Sequence, residues 1–316
     1  MQYNLPGLIA ATFTPMHADG TLNLGQVEPI VEHLIGSGVA GLYVCGTTGE
    51  GPSLSTEERE AVAVAYVAAA RRRIPVVIQV GHTSLPDASR LAAHAQTIGA
   101  DAISAIGPWY FKPASVDVLV DCLAPIAAAA PDLPFYYYHL PAMTGVHLDM
   151  LELLRLTPGR LPTLVGIKYS APKLDEFQAC NEHAGGRFDI LFGCDEMLLA
   201  GLAAGAQGAV GSTYNYLAPL YRRVIDAFEG GDMDDARRHQ GLAVTLVRAI
   251  VRRRGHAGLK AAMKLVGLDC GPTRLPLVPL KPPEIDPMRD ELDVLGFFNA
   301  CNGFTAACPS AAIQPV

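Results

Sequence analysis

Up to residue 212, short β-branched or aromatic apolar runs alternate with alanine- and leucine-rich stretches of helical period, and this alternation limits the fold more than any other feature. The runs lie at 8–15, 41–47, 76–81, 102–106, 135–140, 165–169, 190–193 and 209–212. Each is followed by a crossover, which is the pattern of βα units and a parallel sheet. The stretch 56–72 predicts a helix with Ser55 as N-cap and Glu58 completing a capping box, and 87–98 predicts another, closed by Gly99. A doubly wound sheet usually has fewer strands and often carries a dinucleotide fingerprint, whereas no GxGxxG follows the first run. The expectation is an α/β fold, a (β/α)8 barrel over residues 1–215. Beyond it the pattern is helical at 217–229, 233–253 and 256–266, with a proline-rich link at 271–283 and a last helix at 287–300. These form a C-terminal helical extension over 216–300, and the small, unpatterned tail 301–316 is expected to fray.

With 316 residues, 50% of them hydrophobic and 17% charged, the chain can bury a sizeable core. No apolar run approaches the ~20 residues of a membrane helix, and Met1-Gln2-Tyr3-Asn4-Leu5-Pro6 lacks the basic and apolar regions of a secretory leader. The seven cysteines show no CxxC pair, and several sit in apolar patterns where a thiol acts as a small hydrophobe, so a reducing, cytoplasmic setting is expected. A net charge of −7 opposes binding to a polyanion. The basic runs Arg71-Arg72-Arg73 and Arg252-Arg253-Arg254 end predicted helices, where cations suit the dipole, and read as solvated helix ends. Neither nucleic acid nor membrane is an expected partner.

In a parallel barrel, chemistry gathers at the C-terminal strand ends. Four of these ends are unusually polar: Gly46-Thr47-Thr48-Gly49-Glu50, Tyr138-His139, Lys168-Tyr169-Ser170 and Gly193-Cys194-Asp195-Glu196. Lys168 directly follows Leu164-Val165-Gly166-Ile167, and a strand covered on both faces offers it no solvent unless it points into the barrel mouth. Period two then places Ser170 on the same face. Desolvation lowers a lysine pKa from about 10.4 and enlarges the fraction of neutral amine able to attack a ketone. The residues alone equally allow a lysine whose head reaches water past its apolar stem.

In Phe135-Tyr136-Tyr137-Tyr138-His139 the alternation puts Tyr136 and Tyr138 on one face and Tyr137 on the other. A phenol near the mouth either relays protons or simply packs. The loop from Gly46 to Gly51 supplies two hydroxyls and closely spaced N–H groups, a cradle for a carboxylate. It is not a nucleotide loop, because Gly51 is followed by Pro52 and Ser53 rather than Lys and a hydroxyl residue. The nine histidines form neither HxH nor HExxH, and no metal is expected.

Taken together, Gly46-Thr47-Thr48-Gly49-Glu50, the segment from Tyr138 to Gly145, Gly166-Ile167-Lys168 and Gly211-Ser212-Thr213-Tyr214-Asn215 resemble the N-acetylneuraminate lyase and dihydrodipicolinate synthase family. Order and spacing agree over residues 5–285, and the resemblance is closer to the lyase branch through 135–146, 191–196, 208–216 and 271–277. It implies a homotetrameric barrel enzyme in which Lys168 bonds C2 of pyruvate, Tyr138 handles protons, and Thr47 and Thr48 hold the pyruvate carboxylate. Ser170, Gly193, Asp195, Glu196 and Ser212 match positions that bind the polyhydroxyl chain of the sugar, a task suited to hydrogen-bond acceptors. Thr47 stands where many relatives have serine, and His139 where many have asparagine. Met143 stands where the synthases carry an arginine for the carboxylate of their second substrate, a charge-assisted bond that methionine cannot make.

The implied activity is reversible cleavage of N-acetylneuraminate to pyruvate and N-acetylmannosamine by a class I, Schiff-base aldolase, with no cofactor and with small molecules, sialic acid and pyruvate, as partners. The alternatives are a related pyruvate-dependent aldolase or dehydratase acting on another 2-keto-3-deoxy sugar acid, a synthase-like enzyme, a pyridoxal phosphate enzyme using Lys168, or a noncatalytic ligand-binding barrel. Fold alone separates none of them.

Overall fold

The alternating pattern folds as the spacing predicts. The computed structural model describes residues 3–302; residues 303–316, most of the tail expected to fray, lie outside them, as does Cys308. Eight parallel strands form a closed barrel in chain order. They are β1 (Gly7–Ala11), β2 (Gly41–Val44), β3 (Val76–Gln79), β4 (Ala102–Ile106), β5 (Phe135–His139), β6 (Leu164–Tyr169), β7 (Asp189–Phe192) and β8 (Gly208–Gly211). Closure runs from the pair Gly7 and Gly208 to the pair Ala10 and Gly211. Several strands end before the apolar runs do, β1 at Ala11 rather than 15 and β2 at Val44 rather than 47. The polar residues beyond serve the loops instead, as where Thr14 Oγ1 donates to Gly49 O at 2.6 Å.

The helices between strands are α1 (Val27–Gly36), α2 (Thr56–Ala70), α3 (Leu85–Thr97), α4 (Val116–Ala128), the single turn α5 (Pro141–Thr144), α6 (Met150–Leu156), α7 (Leu174–Glu182) and α8 (Leu198–Ala203). After β8 come α9 (Tyr214–Glu229), α10 (Met233–Val251), α11 (His256–Ala262), α12 (Pro282–Val294) and α13 (Phe297–Cys301). The capping box forms in both directions: Glu58 N–H donates to Ser55 Oγ at 3.2 Å, and Ser55 N–H to Glu58 Oε2 at 2.9 Å. Helix α3 starts two residues earlier than 87 because Ser84 Oγ caps Asp87 N–H. The last helical stretch is two helices, separated where Gly296 takes the left-handed conformation at φ 85°. Helix α9 packs against α8 and β1, and α10 and α13 pack on α9.

The two arginine runs do more than face solvent. Arg71 pairs with Glu28 and Arg73 with Glu32, joining α2 to α1. Arg252 and Arg253 share Glu291, and Arg254 meets Glu284, joining the end of α10 to α12. Pairs this accessible to water are screened by solvent and salt and add little to stability.

Two apolar layers follow from the strand alternation. Ile9, Ala11, Tyr43, Val77, Ala102, Tyr136, Tyr138, Val165, Leu191 and Val210 fill the barrel interior. Leu8, Ala10, Leu42, Val44, Ile103, Phe135, Tyr137, Ile167, Tyr169 and Ile190 point outward and pack under the helices. Between β5 and β6 the register shifts: Phe135 pairs with Leu164, but Tyr136 pairs with Gly166 and Tyr138 with Lys168. Val165 is the extra residue of a bulge. Had the first pairing continued, Lys168 would stand opposite His139, on the outward set.

Gly166 is required at this bulge, because a Cβ there would lie 1.8 Å from the backbone oxygen of Asp189 on β7. Gly166→Ala is therefore expected to lower unfolding free energy by at least about 2 kcal/mol through overpacking. Urea unfolding at constant slope measures it; an unchanged midpoint would contradict the close approach.

Candidate active site

Tyr138 and Lys168 are cross-strand partners at the C-terminal ends of β5 and β6, both turned inward. Lys168 is 4% exposed. Its Nζ lies over two aromatic faces, 3.9 Å from the centroid of Tyr43 and 4.0 Å from that of Tyr138. Ring quadrupoles stabilise a cation in this position but do not replace water. Burial lowers the Lys168 pKa to about 7, with the Asp195 charge opposing the shift. Near neutrality a large fraction of the amine is thus free.

The Tyr138 phenol is pushed up to about 12 by burial, with the hydroxyls of Thr47 and Ser170 acting the other way. It is a proton donor at neutral pH, and its conjugate base is strong. Thr47 Oγ1 lies 3.3 Å from Tyr138 Oη, and Thr48 Oγ1 lies 2.7 Å from Ser212 Oγ. The loop after β2 therefore joins its hydroxyls to β5 on one side and to the end of β8 on the other.

Asp195 follows β7 and is buried, with its carboxyl raised to about 6 by desolvation. Its Oδ2 accepts Thr213 N–H at 2.8 Å and Thr213 Oγ1 at 2.7 Å, which ties the ends of β7 and β8 together. Two glycines make room here: a Cβ on Gly193 would lie 2.0 Å from Ser170 Oγ, and one on Gly211 would lie 2.3 Å from Asp195 Oδ1.

These residues enclose a cavity of about 180 Å³. Lys168, Tyr138, Thr47, Thr48, Ser170, Gly193, Asp195 and Ser212 all line it. Glu196 is exposed in the turn beyond Asp195 and is not among the lining residues. Met143, 70% exposed on α5, stands at the mouth. His139 faces the other way and takes no part in this cavity. It is 3% exposed, its ring centroid is 5.1 Å from that of Tyr169, and it lines a separate space of about 520 Å³ outside the barrel. Burial lowers its pKa to about 4, so the imidazole is neutral.

Sequence reading missed Tyr43 and Thr213. Tyr43 sits inside the β2 run, where period two marks an inward residue but nothing marks it as a neighbour of Lys168. Thr213 lies within the Gly211–Asn215 motif, yet its partner is 18 residues away.

The sequence pattern of the dihydrodipicolinate synthetase family matches residues 4–293. The N-acetylneuraminate lyase of Sus scrofa is 42% identical over 312 residues, 96% of this chain and 98% of its own length. N-acetylneuraminate lyase A of Xenopus laevis is 45% identical over 278 residues, 86% of this chain and 90% of its own. Among solved structures, the N-acetylneuraminate lyase of Proteus mirabilis superposes with a TM-score of 0.91 at 43% identity, covering 93% of this chain and 100% of that one.

The Lys168 environment sets a pH dependence. Its folded pKa of about 7 lies below the ordinary 10.5, so the unfolded chain binds more protons between these values and stability rises with pH across that window. Amine-selective acetimidate labelling of Lys168 in the folded protein, followed by peptide mass spectrometry, is expected to rise to half its maximum near pH 7. A midpoint near 10 would show a solvated ammonium instead.

Proposed function

The chain belongs to the dihydrodipicolinate synthetase family, and from that premise we propose that it is a class I aldolase cleaving N-acetylneuraminate reversibly to pyruvate and N-acetylmannosamine. The observation that carries the reading is a buried lysine between two tyrosine rings, sharing a cavity with a phenol and the two loop hydroxyls. The identity of its relatives supports the substrate.

In the proposed reaction the neutral amine of Lys168 attacks C2 of the open-chain sugar acid, giving a carbinolamine. Tyr138 donates a proton to the departing hydroxyl, water leaves, and a protonated imine remains. The C3–C4 bond then breaks with its electron pair moving into the imine, forming an enamine. The Tyr138 phenolate takes the proton of the C4 hydroxyl as that carbon becomes the aldehyde of N-acetylmannosamine. Protonation at C3 and hydrolysis of the imine release pyruvate and restore Lys168. The lysine itself supplies the electrophile, so the reading needs no cofactor.

Thr47 and Thr48 hold the substrate carboxylate through their hydroxyls and the surrounding N–H groups. Ser170, Gly193, Asp195 and Ser212 meet the hydroxyls nearest the reacting carbons. A cavity of about 180 Å³ is small for a nine-carbon sugar, so the distal chain extends past the mouth to Glu196. Met143 at that mouth offers no cation for the carboxylate of a synthase's second substrate.

A cytoplasmic homotetramer completes the proposal. Tyr110 and Phe111, 77% and 85% exposed and packed edge to face with centroids 5.0 Å apart, offer an apolar surface for a second copy. Cys45, Cys180 and Cys270 are buried as small apolar groups, in keeping with a reducing compartment. Among the described residues no helix is long and apolar enough to cross a membrane.

Incubation with pyruvate, reduction by borohydride and peptide mapping are expected to place a stable adduct on Lys168. Lys168→Ala should abolish both adduct and turnover, and Tyr138→Phe should lower kcat about 10²–10⁴-fold, the usual contribution of a positioned proton donor. An adduct elsewhere, or none, sinks the mechanism. Turnover of shorter 2-keto-3-deoxy acids in preference to N-acetylneuraminate would redirect the substrate assignment.

A further inference from the structure

The helices beyond the barrel reach back into the loop that carries Thr47 and Thr48. Glu50 closes the turn from Thr47, with its N–H donating to Thr47 O at 3.0 Å and its own backbone left-handed at φ 56°. That conformation is uncommon for a residue with a Cβ. The Glu50 side chain has no exposure and meets Nζ of Lys260 on α11, 1% exposed, at 2.7 Å. Its other oxygen accepts Arg274 N–H at 2.8 Å, and Lys260 also donates to Pro272 O at 2.8 Å. One turn earlier on α11, His256 Nε2 lies 3.1 Å from Thr48 O. None of Glu50, His256 and Lys260 lines the cavity.

A dry ion pair gives up the hydration of both partners, and further hydrogen bonds help offset that loss, here Arg274 N–H to the carboxylate and Lys260 to Pro272 O. Apolar side chains of similar volume would hold α11 against the loop equally well. What they would lack is direction. The carboxylate is fixed by donors from two segments, and through the turn Thr47–Glu50 this fixes where the two threonine hydroxyls project.

We propose that Glu50 and Lys260 are positioning residues for the keto-acid site: their buried pair, with Arg274 N–H and the His256 contact to Thr48, sets the turn that holds Thr47 against Tyr138 and Thr48 against Ser212. The segment after the barrel thereby sets how tightly the substrate carboxylate is held. This rests on the pyruvate reading above.

The test uses full-length Lys260→Met, Glu50→Gln and the double variant Glu50→Met/Lys260→Met. Pyruvate is titrated against the fraction of Lys168 trapped by borohydride, alongside kcat and KM for cleavage and the melting temperature. In Lys260→Met the half-trapping concentration should rise about tenfold or more, with KM changing more than kcat, because a small displacement of a binding group is costly. Glu50→Gln, which keeps hydrogen bonds without the charge, should fall between that variant and the unaltered protein. The double variant should recover melting temperature yet still bind pyruvate weakly. Recovery of both properties in the double variant overturns the proposal, as does a folded Lys260→Met with unaltered half-trapping. If Lys260→Met does not fold, Glu50→Gln decides: unchanged half-trapping sinks the idea. No adduct in the unaltered protein sinks the function and this inference together, whereas a normal adduct with indifferent variants sinks this inference alone.

Discussion

An amine loses most of its hydration only where packed side chains surround it, and closure of β8 on β1 creates such a place around Lys168, which meets open space only at the small cavity of the barrel mouth. An open sheet would leave an edge and a solvated flank; a closed one leaves a lumen packed by side chains. The uppermost inward side chains include Tyr43, Tyr138 and Lys168, and the two rings exclude water from the amine while still tolerating its charge. The same burial acts in opposite directions on the two groups, lowering the lysine toward neutrality and raising the phenol. Divergent shifts of that kind suit one group to act as nucleophile and the other as proton donor in the reaction proposed above.

The barrel wall also separates environments. The inward residues Tyr138 and Lys168 alternate with outward His139 and Tyr169, which pair with each other across the same two strands. His139 is therefore held away from the reacting atoms by a single step along the chain. It lines the outer cavity, where it packs near Tyr169, and not the cavity that holds Lys168.

Charges in this molecule do different work according to burial. The arginine runs at the ends of α2 and α10 join helices through exposed pairs that salt and water weaken. Asp195 and Glu50 are buried, each with fixed donors around it, and each connects segments distant in the chain: β7 to β8 in one case, the β2 loop to α11 in the other. Around Lys168, the fixed contacts between distant segments come from these enclosed carboxylates rather than from the more numerous surface pairs.

What the sequence alone determined is whatever depends on neighbours within a few residues. Strand number, the shared face of Tyr136 and Tyr138, the Ser55 capping box and the polar strand ends all follow from short-range periodicity and capping chemistry. The tertiary structure decided the rest. The bulge at Val165 puts Lys168 beside Tyr138 instead of His139, and a one-residue slip would have reversed that choice. Tyr43 beneath the amine, Thr213 holding Asp195, Glu196 standing outside the cavity, and Lys260 meeting Glu50 from 210 residues away depend on barrel closure and helix docking. Residues that far apart carry no local signal of contact, because only the closed and packed chain brings them within hydrogen-bonding distance.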